Sequence, residues 1–370
     1  MIHRGSAAAL AVLLTCACTT AEPPGRPTAP EPANELAAVA QRAVHTATTT
    51  DGSVLIVGGC STDGCSQATS SVVSVSSDGA VTSRPDLLAP RDGHVAVALE
   101  DGSVLVVGGF TGEGEPPLAT AETLAPEADT WQPTGALRVG RGGHAAAPLG
   151  DGRLLVAGGW LGSQTYTDST EIYDPDTRRF TRGPDLPEAV DGLAAAPLPD
   201  GSVLVAGGQV HPEVATGAAA LIEPDGTLRE IDPLRQPRFK HAMVALPTGE
   251  VLVIGGTDDD RRLLTSTEVF DPRTRTFRAG PELTTGRYKL GGAADVLPDG
   301  RVLVAGGGRG VEVIDVRADT SAPVQAGSLG QVWASFSTVS VLGDRVLVLG
   351  GYDESIGLTG LSELLPLDQL

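Results

Sequence analysis

Lysine, methionine and aromatic residues are scarce in this 370-residue chain, which has 2 methionines and only 4% Phe, Trp and Tyr combined. Set against 48 glycines, 27 prolines and many Val and Leu, that scarcity argues against long helices and for short strands joined by tight turns. Positive charge is also in deficit. With 26 Lys+Arg against 46 Asp+Glu, the formal net charge is -20, which repels phosphates over most of the surface and argues against a nucleic-acid partner. No Gly-x-Ser-x-Gly elbow, His-Glu-x-x-His helix or phosphate-cradling loop occurs, so the common hydrolase, zinc-protease and nucleotide signatures are missing. Catalysis by scattered general acids and bases would leave no such motif.

The N-terminus reads as a processing signal. His3 and Arg4 are basic, Ala7 to Leu14 is a compact apolar run too short to cross a bilayer, and Thr15-Cys16-Ala17-Cys18 follows. The segment resembles a bacterial lipoprotein signal (1–18), in which a small residue precedes the cysteine that receives lipid. Cys18, directly after Ala17, is the better candidate; Cys16 has Leu13 three residues earlier but Thr15 directly before it, so the choice stays open. An ordinary secretory signal cut nearby is the alternative. Residues 19–34, rich in Pro, Ala, Thr and Glu without apolar periodicity, read as a solvated tether. The expected location is therefore outside the cytoplasm, held to a membrane. In that setting Cys60 and Cys65, in a Ser/Asp/Gly loop, are expected to form a disulfide rather than a zinc site, which two thiols without histidines do not complete.

The mature chain repeats itself. Asp51-Gly-Ser-Val-Leu-Ile-Val-Gly-Gly59 returns at Asp101–Gly109, Asp151–Gly159, Asp200–Gly208, Thr248–Gly256, Asp299–Gly307 and Gly343–Gly351, at intervals of 44 to 51 residues. In each unit an apolar strand such as His94 to Leu99 enters an Asp-Gly hairpin turn. An unbroken apolar run such as Val104-Leu-Val-Val107 follows, as befits a strand covered on both faces. A double glycine ends that run. A third strand, as in Thr170-Glu-Ile-Tyr-Asp-Pro175 or Thr267-Glu-Val-Phe-Asp-Pro272, alternates polar and apolar residues, and Trp131, Phe180 or Phe277 marks a fourth. Four short strands cannot bury both faces of their sheet alone, so the units must pack around a ring. The expected fold is all-β, a seven-bladed β-propeller of four-stranded antiparallel blades spanning 35–370. The seventh unit ends before an outer strand, and Asn34 to Ala40 is expected to supply it; a three-stranded seventh blade is the alternative.

The double glycine, the Glu-apolar-Tyr/Phe-Asp-Pro strand and the following Trp or Phe resemble Kelch repeats, in the long form also seen in galactose-oxidase-like propellers. The resemblance implies a propeller that binds or scaffolds a partner, or an enzyme such as a sugar epimerase. Radical copper oxidation, which needs a tyrosine paired with histidine and a cysteine-crosslinked tyrosine, does not fit Tyr166, Tyr173, Tyr288 and Tyr352, none of which adjoins a histidine.

Candidate binding residues fall in two groups. Arg91, Arg141 and Arg238, with Arg42, each precede a histidine by three residues (His94, His144, His241 and His45), and Arg287 repeats the arginine alone. Such a ring could present cations to an axial channel, or it could brace each blade through carbonyls and carboxylates. The loops after the double glycines differ between repeats and carry Phe110, Trp160, Tyr166, His211 and Tyr352. Aromatic faces beside polar groups suit a sugar ring or a peptide, and packing over a neighbouring loop is the alternative. Asp258-Asp259-Asp260 could meet calcium, but a solvated turn suits it better. No cofactor and no metal is expected. The expected partners are a protein or glycan on the loop face and a membrane through the lipid anchor, for a monomeric protein.

Overall fold

The computed structural model describes residues 32–324 and 333–370. The expected signal with Cys16 and Cys18, and the tether as far as residue 31, lie outside them. Among the described residues, seven antiparallel sheets of three or four strands succeed one another along the chain, with the strands of each sheet side by side in chain order, and three two-stranded sheets lie outside them. Blade 5 is representative, with strands Ala242–Ala245, Val251–Ile254, Thr267–Asp271 and Thr276–Ala279, and with Val253 standing between Met243 on one side and Glu268 on the other. Second strands such as Val104–Val107 and Val251–Ile254 are buried along their whole length, because neighbouring blades cover both faces.

Seven apolar clusters fill the seven seams between blades. Leu105 and Val107 of blade 2, for example, meet Leu154, Val156 and Tyr173 of blade 3. Each buried Val or Leu is worth about 1.5–3 kcal/mol only while its neighbour is present, so the blades stabilise one another. The final seam joins Leu342, Leu347 and Leu349 of blade 7 to Val54, Ile56 and Val75 of blade 1, which closes the ring.

Closure differs from the sequence expectation. Blade 7 has three strands, Thr338–Leu342, Arg345–Leu349 and Ser362–Pro366, and the segment expected as its outer strand is instead an α-helix, Pro32–Val39. The reason is local. Ala, Leu and Glu favour helix over strand, and Leu36, Val39 and Ala40 share one helical face. That face drops into the seam between blades 7 and 1, where all three residues are buried. Arg42 donates its Nε–H to the Val39 carbonyl at 2.8 Å, a cation placed at the C-terminal end of the helix.

Candidate functional site

Each blade is entered through the segment that holds the arginine and histidine, and the structure separates their roles. Arg91, Arg141, Arg238 and Arg287 are buried within their own blades and ion-paired to the third-strand carboxylates Glu122, Glu171, Glu268 and Glu312 at 2.6–3.1 Å. Their Nη1 groups also donate to the carbonyl of the first glycine of the pair: Gly108, Gly158, Gly255 and Gly306. Of the candidate binding residues, Arg91, Arg141 and Arg238 are thus buried and engaged as internal braces of their blades. Burial lowers their pKa values and the paired glutamate opposes that effect. In blade 1 the position equivalent to those glutamates is Val73, which faces Ile56, and Arg42 is pulled down to about 10 by burial.

The histidines point towards the preceding blade. A Cβ on Gly108 would sit 2.7 Å from His144 Cε1 and 2.5 Å from the Arg141 carbonyl oxygen, with φ at +66°. This is why the double glycine recurs: the backbone is left-handed and the next blade lies against it. His45 Nε2 meets Thr338 Oγ1 at 2.9 Å and His94 Nε2 meets Thr46 Oγ1 at 3.1 Å. For His144 and His241 the equivalent positions are Val95 and Ala194, and neither of their ring nitrogens has a partner among the described residues. Burial, helped by the neighbouring arginine, holds both rings down to about 3, hence neutral.

One residue before each histidine position lies a belt that linear motifs do not announce. Val44, Gly93, Gly143, Gly192, Lys240, Lys289 and Phe336, one per blade, all have φ between 54° and 63°. Their amides link blade to blade: Gly93 donates to Val44, Gly143 to Gly93, Gly192 to Gly143, Lys240 to Gly192 and Phe336 to Lys289, at 2.8–3.4 Å. Lys240 accepts instead from Leu290 at 3.2 Å. The left-handed conformation costs a residue with a side chain roughly 1–2 kcal/mol, yet four positions carry one. Blades 2, 3 and 4 thus present glycine to the axis, whereas blades 5, 6, 7 and 1 present side chains. Aligning the Arg-x-x-His units would have exposed this register, since glycine recurs at the position held by the two lysines.

The belt and the first-strand entries of all seven blades enclose an axial cavity of about 340 Å³. Two acids stand one residue before the belt. Burial raises Asp92 to about 7. Asp191 is raised to about 6 by burial, against hydrogen bonds from Gln209 and the Gly192 amide. A larger furrow of about 690 Å³ lies between blades 1 and 2, lined by the Asp51 and Asp101 turns at the opposite end of the strands.

The loop residues divide similarly. Phe110 lies against Gly142 and Gly93 and forms a tilted pair with Trp160, ring centroids 5.3 Å apart. Trp160 is 38% exposed and faces Tyr166 across the hairpin of Trp160–Gly162 and Thr165–Tyr166. His211 is exposed in the corresponding hairpin of blade 4. Tyr352 is buried, and its hydroxyl donates to the Thr62 carbonyl at 3.0 Å; its role is corrected to packing between the loops of blades 7 and 1. Cys60 and Cys65 are joined in a disulfide with Cα atoms 5.1 Å apart. In the acidic run, Asp259 accepts the Arg261 and Arg262 amides and Asp260 pairs with Lys240 at 2.9 Å, the pattern of a turn.

Residues 141–187 and 238–284, the units of blades 3 and 5, match the Kelch motif. The chain is a seven-bladed propeller with Kelch motifs. The solved structure of YjhT superposes on this propeller with a TM-score of 0.59, covering 76% of this chain and 96% of YjhT at 13% sequence identity. At that identity the likeness concerns the fold. A comparison with curated proteins finds no match.

Proposed function

We propose that the protein is an exported, lipid-anchored binding module that takes a protein or a glycan on its loop face, at the mouth of the axial cavity. The observation that carries this reading is the shelf formed by Phe110, Trp160 and Tyr166 beside the glycine sector of the belt. An exposed indole next to open backbone and buried acids suits a sugar ring or a peptide side chain. Export rests on the lipoprotein-like N-terminus, and the Kelch fold is consistent with a binding or scaffold role. The test is a glycan-array and thermal-shift screen of the full-length protein, repeated with Trp160→Ala. Saturable binding lost in the variant supports the reading. Binding unaffected by Trp160→Ala contradicts it.

A second reading, an enzyme acting on a carbohydrate, is favoured by one feature. Asp92 and Asp191, each one residue before a belt glycine, have pKa values moved towards neutrality, where a carboxyl can both give and accept a proton. Epimerisation or anomer exchange of a bound sugar, followed by NMR, tests it. Turnover that survives Asp92→Asn and Asp191→Asn would remove these two groups from the chemistry.

A further inference from the structure

The chain has 26 basic residues besides histidine and only two are lysines, Lys240 and Lys289. Both stand on the belt and line the axial cavity. Arginine supplies every buried brace, as suits its forked geometry; lysine, a compact point charge, is used only at the axis. The two ammonium groups are held differently. Lys240 pairs with Asp260. Lys289 Nζ lies over the rings of Tyr288 and Phe336, 4.9 and 5.3 Å from their centroids; among the described residues it makes no hydrogen bond or close ion pair, and Asp260 acts on it only through space. Its ammonium group is partly exposed, so its three donors are open to solvent or to a ligand. His144 and His241 also border this cavity, but their ring nitrogens are buried against the preceding blade.

From this arrangement we propose that the axial cavity binds the carboxylate or phosphate group of a small molecule, with Lys289 as counter-charge and the glycine sector of blades 2 to 4 leaving room for the ligand body. The cavity volume lies at the lower end of the range for small-molecule sites, ~300–1,000 Å³. The inference deepens the reading of the loop end as the binding end and rests on it. An oxyanion there supplies the acceptor that Lys289 lacks, and in so acidic a chain these two lysines give the axis its local positive charge.

The experiment is calorimetric titration of the full-length protein with inorganic phosphate, succinate and glucuronate, with glucose as the uncharged control. Saturable binding is expected for at least one oxyanion and not for glucose, weakened at least tenfold by Lys289→Gln and by Lys289→Gly. The latter places at the belt the residue already present at three of its positions, so folding is retained. Arg182→Gln, which removes the same charge from an outer-strand ion pair, is expected to bind like the parent. Phosphate without carboxylate binding, or the reverse, selects between the two sources of the oxyanion. Absence of binding by all three oxyanions, or equal affinity in both Lys289 variants, overturns the proposal. If that occurs while a glycan or protein still binds in a Trp160-dependent manner, the inference fails and the broader reading survives. Loss of both removes the loop end as the binding end.

Discussion

Blade 4 shows how the buried arginine brace can be dispensed with, and blade 3 is the place to test it. In blade 3, Arg141 pairs with Glu171, and Glu171 also accepts the Arg138 amide at 2.9 and 3.1 Å. The equivalent residues in blade 4 are Val190, Ala220 and Pro187: cation, carboxylate and amide donor are all absent together. Removing one member from blade 3 leaves a buried charge without its counterpart, which costs about 3–5 kcal/mol. Replacing the whole set leaves no orphaned charge, only the Gly158 and Ser169 carbonyls without the arginine's N–H groups. Glu171→Ala and Arg141→Val are therefore each expected to lower stability by about 3–5 kcal/mol. The triple variant Arg138→Pro, Arg141→Val, Glu171→Ala is expected to lie closer to the parent than either, with a coupling of at least ~2 kcal/mol. Urea denaturation followed by tryptophan fluorescence and far-UV circular dichroism supplies the midpoints, and agreement of the two probes checks cooperativity. A triple variant that loses as much as the two single losses combined would refute the reasoning, because the brace would then matter as packed volume rather than as a charge set.

Three further outcomes are expected. Gly108→Ala combines a left-handed φ with contacts on Arg141 and His144 and should cost about 2–5 kcal/mol; Gly52→Ala, also left-handed but with nothing nearby, should cost only ~1–2 kcal/mol in the same urea assay. Leu36→Ala on the closing helix should cost roughly 2–5 kcal/mol, and deleting residues 33–40 should lower the melting temperature further; an unchanged melting curve would exclude the helix from ring closure. His144 and His241 have folded pKa values near 3, below the ordinary 6.5, so each contributes stability that is complete above pH 6.5 and lost as pH falls towards 3, at ~1.4 kcal/mol per pH unit. Asp92 and Asp191, raised to about 7 and 6, act in the opposite sense, favouring the fold as pH falls from 7 towards 4. His144→Leu should therefore flatten the loss of stability between pH 6 and 4 by about one proton, as read from urea midpoints at each pH.

The repeat, the strand order and the double glycines were legible because each depends on short-range pattern: Asp-Gly for the turn, an apolar run for the covered strand, glycine where the next blade presses. The helix 32–39 was misjudged because topology suggested a missing strand, while Leu36, Val39 and Ala40 already had helical spacing. Arg141 and Trp160 could not be separated by type or position alone. Only the fold shows that the guanidinium turns inward to Glu171 while the indole stays at the surface. The belt was hidden for another reason. A left-handed φ at Val44, Lys240, Lys289 and Phe336 is imposed by hydrogen bonds between blades, and those are long-range contacts with no sequence signature except the glycines that share the register.

The central claim is that a ligand is taken at the axial mouth, and the presence of just two lysines in the chain makes a direct measurement practicable. The full-length protein is treated with an amine-acetylating reagent, and the rates at Lys240 and Lys289 are followed by peptide mass spectrometry with and without saturating glucuronate, phosphate or the strongest binder from the glycan array. Slower acetylation of Lys289 in the presence of a binder, with its reactivity restored when the binder is dialysed away, is the predicted result. Equal rates at both lysines with a binder demonstrably bound would contradict the claim and move the site away from the axis.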